Sequence, residues 1–171
     1  MEDNCFEIER KFLIRYPDLD WLDRVANKTE ITQTYLIKDN PAMSERVRKR
    51  GRDGEYIYTH TSKLRVNAMR RVELEHEISE EEYCRLLERA DPERRTIEKI
   101  RYALPANGLV YEIDVFPFWK DRAFLEIELR DEEQSFVWPE QFRCIREVTS
   151  DDRYLNSALA VSIPEENIQE D

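Results

Sequence analysis

The stretch Cys5-Phe6-Glu7-Ile8-Glu9-Arg10-Lys11-Phe12-Leu13-Ile14 sets Glu7, Glu9 and Lys11 on one side of an extended chain and Phe6, Ile8, Phe12 and Ile14 on the other. Successive side chains of a strand point to opposite faces, so this pattern predicts a half-buried strand. The alternation returns along 30–38, 44–50, 55–66, 69–78, 95–104, 109–116 and 122–130, which predicts eight strands in all. Asp53-Gly54 and Asn107-Gly108 suit tight hairpins, because both pairs tolerate positive φ. Helices are few. Residues 18–25 carry Leu19, Leu22 and Val25 at helical spacing. Residues 80–89 follow a Ser79–Glu82 capping box and present Tyr83, Leu86 and Leu87 on one side. A third helix is expected over 151–161, capped by Thr149 or Ser150. The predicted class is α+β: an eight-stranded antiparallel barrel, closed so that no edge is exposed, with helices packed outside.

Composition narrows the function. The chain has 171 residues, 27 Lys+Arg against 38 Asp+Glu, and a net charge of −11. One domain over 1–162 with an acidic flexible tail at 163–171 is expected. The acidic balance argues against nucleic acid on the outer surface. No apolar run approaches the roughly 18 residues of a membrane span, and Met1-Glu-Asp-Asn does not read as a signal peptide. With only three glycines, neither phosphate-cradling glycine loop is present. Cys5, Cys84 and Cys144 are widely spaced and suggest neither a zinc site nor a disulfide framework, so a reducing, cytoplasmic location is expected. His60 and His76 lack a nucleophile motif beside them, which leaves the chemistry to carboxylates and basic side chains.

Those charges are sorted by face. Arg46, Arg48 and Arg50 share one; so do Thr59, Thr61, Lys63 and Arg65; so do Arg71, Glu73, Glu75 and Glu77. Lys99 with Arg101, Glu112 with Asp114, and Glu126 with Glu128 and Arg130 complete the set. Any one strand of this kind is an ordinary sheet with its polar side in water. Seven together suggest a charge-lined interior, since like charges on one face repel unless neutralised. Clustered carboxylates call for a hard divalent cation, and clustered guanidinium and ammonium groups for a polyanion such as phosphate. The two together imply a metal-complexed polyphosphate inside a tunnel.

The motifs resemble those of the CYTH superfamily, the triphosphate tunnel metalloenzymes. Glu7-Ile-Glu9-Arg-Lys11 matches E-x-E-x-K, Arg46-Val-Arg48 resembles R-x-R, and Thr61-Ser-Lys63 resembles T-x-K. Arg71-Val-Glu73-Leu-Glu75, Lys99-Ile-Arg101, the strand bearing Asp114, and Glu126-Ile-Glu128 follow in the family's order. The resemblance implies hydrolysis of inorganic tripolyphosphate or a related triphosphate, with Mg²⁺ or Mn²⁺ as cofactor. A thiamine triphosphatase, a class IV-like adenylate cyclase and a non-catalytic polyphosphate-binding module are the alternatives, and a homodimer is compatible with the fold. By the same resemblance, Glu7, Glu9 and Glu128 are expected to hold one metal. Glu73, Glu75, Asp114 and Glu126 are expected to hold a second or to position water. Lys11, Arg46, Arg48, Lys63, Arg71, Lys99 and Arg101 are expected on phosphate oxygens. Lys11, Glu75, Asp114 and Glu126 are the expected catalytic set.

Overall fold

The computed structural model describes residues 8–40, 42–65 and 71–168. Among the described residues, nine strands and three short helices run β1 (Ile8–Arg15), α1 (Leu19–Val25), β2 (Asn27–Tyr35), β3 (Met43–Arg52), β4 (Glu55–Arg65), β5 (Arg71–Ile78), α2 (Glu80–Leu87), β6 (Ile97–Ala106), β7 (Leu109–Val115), β8 (Arg122–Leu129), β9 (Cys144–Glu147) and α3 (Asn156–Leu159). The residues group into two compact units. Of the described residues, the first comprises those within 8–28, 99–152 and 165–168; the second comprises those within 29–98 and 153–164.

In the first unit the strand order is β6-β7-β8-β1-β9, with antiparallel registers throughout. The apolar faces pack as the alternation predicts. Phe12, Ile14, Tyr102, Leu104, Tyr111, Ile113, Leu125, Ile127 and Leu129 form the core, closed by Leu22 of α1 and by Phe142. Trp138 meets Phe12 edge-on at 5.1 Å. Asp18 caps α1 by accepting the Trp21 N–H at 3.0 Å. Within the terminal segment Glu166 accepts from Arg146 at 2.8 Å, and its carbonyl accepts from Arg122 at 2.7 Å.

In the second unit the order is β5-β4-β3-β2. Its core gathers Leu36, Val47 and Ile78 against Tyr83, Leu86 and Leu87 of α2. Ser79 caps that helix by accepting the Glu82 N–H at 3.1 Å, as the capping box predicts. Asp53 and Gly54 take φ of 54° and 89°, and Asn107 and Gly108 take 53° and 75°. Both pairs therefore make the two-residue hairpins expected of them. Gly51 has a different role. A Cβ there would lie 2.0 Å from the Glu55 carbonyl oxygen and 2.8 Å from Tyr56 Cα, both backbone atoms that cannot swing aside. Gly51→Ala is expected to destabilise the protein by roughly 1–3 kcal/mol, read as a lower midpoint in urea unfolding. An unchanged midpoint would show that the hairpin shifts freely.

Two expectations are corrected. Within each unit the strand order is open among the described residues, so neither unit closes into the expected eight-stranded barrel. The terminal strands are poor partners for closure. Charges crowd β5, and β9 is four residues long, with a register shift where β1 passes Leu13 and Ile14. Short, bulged or charged edges resist further pairing. The expected helix over 151–161 is broken into a 3₁₀ turn at Asp152–Tyr154 and the single turn of α3. Thr149 does not cap it. Its hydroxyl accepts the Lys11 N–H at 3.0 Å and donates to Glu147 at 2.8 Å. No helix among the described residues is long and apolar enough to cross a membrane.

Candidate functional site

Strand register brings the predicted charges into two sets, one on each unit. In the first unit Glu9 stands opposite Glu128, Lys11 opposite Glu126, Glu112 opposite Glu126, and Arg101 opposite Asp114. All lie on the face away from the core. Opposite charges on neighbouring strands neutralise one another there. Lys11 Nζ lies 2.8 Å from Glu126, and both side chains are nearly buried. Lys99 pairs with fully buried Asp114. Arg101 donates to both oxygens of Asp114 at 2.7 Å, to Glu126 at 2.7 Å, and also to Glu112. Burial alone would raise the Asp114 pKa. Lys99 and Arg101 outweigh it and hold the carboxyl well below the usual range. Burial pulls the Lys99 ammonium down against the field of Asp114.

One end of this face is aromatic. Lys11 Nζ lies 4.4 Å from the Phe124 ring centroid, and Phe124 packs edge-on to Phe116 and Trp119. The other end is acidic. Glu112, Glu128 and Arg130 line a pocket beside the Asn107-Gly108 turn. Glu9 is open to water on one side. On the other, desolvation and then the charge of Glu126 push its carboxyl up to about 7, against the pull of Lys11 and Arg101.

In the second unit the rows run across four strands. Tyr35, Arg46, Thr61 and Glu75 form one, and Gln33, Arg48, Thr59 and Glu77 the next. Thr61 donates to Glu75 at 2.6 Å. Arg46 comes within 3.9 Å of the same carboxylate. Burial pushes the Glu75 pKa up, but Thr61, Arg48 and Arg46 together bring it below its ordinary value. Lys63 stands opposite Glu73 across β4 and β5.

Glu7 and the side chains of Arg71 and Glu73 lie outside the described residues. Among the described residues, no three carboxylate, histidine or cysteine groups converge to hold a metal. Of the expected metal set, Asp114 and Glu126 are engaged by cations, and Glu75 by Thr61 and Arg46. One partner of the basic residues carries no signal in the sequence, and another is placed on the charged face there without a role. Glu112, which belongs to none of the motifs, is a ligand of Arg101. Gln33, buried on β2, accepts from Arg48. Glu112 shares the alternation of Asp114, which places it on the charged face. Gln33 carries no charge and gave no signal.

An antiparallel α+β protein with carboxylates and basic side chains paired across its strand faces is the class that fold and site define. The chain belongs to the CYTH domain family, whose profile matches residues 6–150. It is similar to the inorganic triphosphatase of Nitrosomonas europaea, 35% identical over 164 residues that cover 92% of this chain and 99% of the relative. The inorganic triphosphatase of Acetivibrio thermocellus is likewise 35% identical over 165 residues, covering 96% and 98%. A crystal structure of an inorganic triphosphatase superposes with a TM-score of 0.64 at 31% identity, over 94% of this chain and 97% of that one.

Proposed function

We infer that this protein is an inorganic triphosphatase, a divalent-metal-dependent hydrolase of the phosphoanhydride bonds of tripolyphosphate. The observation that carries the reading is 35% identity to two inorganic triphosphatases along almost their whole length. The charged faces support it. Lys11, Lys99 and Arg101 on one unit, and Arg46, Arg48 and Lys63 on the other, are the groups proposed to take phosphate oxygens. Their charge would offset the negative charge spread over those oxygens in a loose phosphoryl-transfer transition state. Asp114, engaged through both oxygens, is proposed to order Lys99 and Arg101 rather than to take a proton. Glu126 does the same for Lys11 and Arg101.

The donor chemistry fits a hard cation. Glu9 faces Glu128 across the strands and sits in the field of Glu126, a crowding of negative charge that a divalent ion relieves. Glu9 and Glu128 are the described residues that would take part in holding Mg²⁺ or Mn²⁺, together with Glu7, which lies outside the described residues. When bound, such an ion activates water and stabilises the leaving phosphate oxygen.

Phosphate release from tripolyphosphate, ATP and thiamine triphosphate, with Mg²⁺ or Mn²⁺ and with EDTA, tests this reading. Release from tripolyphosphate should exceed that from both organic substrates and should vanish in EDTA. Cyclic AMP formed from ATP without matching phosphate release would place the protein among the cyclases. Tight tripolyphosphate binding without turnover would make it a polyanion-binding module.

A further inference from the structure

Phe124 stands where the alternation of β8 calls for a charge. It shares the period of Glu126 and Glu128, and register sets it opposite Asp114 on β7 and Leu13 on β1. It is nevertheless fully buried. Its ring is wedged in place, because Phe116 meets it edge-on at 5.5 Å and Trp119 at 5.0 Å. The turn after β7 brings Trp119 back against it, with the Trp119 N–H donating to the Phe116 carbonyl at 3.2 Å. Lys11 is the diagonal neighbour of Phe124 across β1 and β8, a separation that a lysine stem and a ring can span. Its Nζ lies 4.4 Å from the ring centroid and 2.8 Å from Glu126. Lys99 repeats the arrangement: it pairs with Asp114, and its Nζ lies 5.8 Å from the Phe116 centroid.

A lysine ammonium is a compact charge on a flexible four-carbon stem, and one carboxylate fixes its distance but not its direction. The negative face of an aromatic ring supplies a second restraint. Arg101 differs, because its planar fork takes its direction from Glu112, Asp114 and Glu126. We propose that Phe124 is a positioning residue for Lys11. The ring and the Glu126 carboxylate hold the ammonium between them, so that it meets a phosphate oxygen already oriented. This rests on the reading of the protein as a triphosphatase with Lys11 on phosphate. It also accounts for the residue type: leucine would fill much of the same space, but has no negative face to offer an ammonium.

Hydrolysis of tripolyphosphate with Mg²⁺ and thermal unfolding test the proposal. They are measured for wild type, Phe124→Leu, Lys11→Gln, the double variant, and proteins carrying progressively fluorinated phenylalanine at position 124. Ring fluorines draw negative charge from the ring face while nearly keeping its shape. The value of kcat/KM should fall stepwise with fluorination, and by roughly three- to thirtyfold in Phe124→Leu. The Tm should drop in Phe124→Leu, which loses ring packing, but should not follow the degree of fluorination, a split that a merely structural role would not produce. In the Lys11→Gln background neither change at position 124 should lower kcat/KM further, because both act through one ammonium. Should Phe124→Leu fail to fold, the fluorinated series decides alone. If Lys11→Gln lowers kcat/KM and fluorination does not, the role of Phe124 is overturned and the triphosphatase reading stands. If Lys11→Gln leaves kcat/KM unchanged, or wild type hydrolyses no tripolyphosphate, the reading beneath the proposal falls and the proposal falls with it.

Discussion

Replacing Asp114 with alanine is expected to lower stability by about 3–5 kcal/mol, the cost of removing one partner from a buried ion pair. Asp114 is fully buried and carries Lys99 on one oxygen and Arg101 on both. Without it, Lys99 at 5% exposure would be left a buried ammonium without its hydrogen-bonded carboxylate, in the field of Glu126 alone. Glu126 and Glu112 would still hold Arg101, so the loss falls chiefly on Lys99. For a chain of this size the Tm should drop by roughly 6–20 °C. The double variant Lys99→Met/Asp114→Leu should recover much of that loss, because both buried charges go together. A Tm change in Asp114→Ala of only a degree or two would mean that water reaches Lys99 and that the pair is not closed.

Glu9→Gln is expected to separate activity from stability in the opposite sense. Glu9 is crowded by Glu126 and faces Glu128, and desolvation adds to the strain on its charge. Removing that charge relieves like-charge repulsion in the free protein, so Tm should hold or rise. Turnover of tripolyphosphate should fall by roughly two to three orders of magnitude, the typical effect of losing one electrostatic contact to the transition state. The Mg²⁺ concentration for half-maximal rate should rise, since one oxygen ligand of full charge has become a neutral amide. Steady-state rates across a Mg²⁺ titration, with a thermal melt of each protein, decide the matter. A parallel fall of Tm and rate would make Glu9 structural. An unchanged Mg²⁺ requirement would remove it from the metal site.

The two substitutions differ because the two carboxylates, alike in the sequence, meet different neighbours. Asp114 lies within reach of two cations. Glu9 lies beside a carboxylate and has open water on its other side. Alternation placed both on the charged face. It carried no information on which cation crosses to which acid, because that depends on strand order and on how far each side chain reaches. In the first unit, much of the neutralising is done by the neighbouring strand.

The sequence by itself determined the local chemistry: which faces are charged, where the Asp53-Gly54 and Asn107-Gly108 hairpins turn, where Asp18 and Ser79 begin α1 and α2, and the family motifs in their order. These features follow from period, from permitted φ, and from side chains that bond their own backbone three residues on, all short-range effects. Only the tertiary structure decided the rest. The pattern of 144–147 forms no strand alone and becomes β9 by pairing with β1. Thr149 is drawn from its expected place as a helix cap to the Lys11 N–H, more than a hundred residues away. The uncharged Gln33 acquires its place because register sets it opposite Arg48. Each depends on partners remote in the chain, and a contact between remote residues leaves no periodicity in either segment.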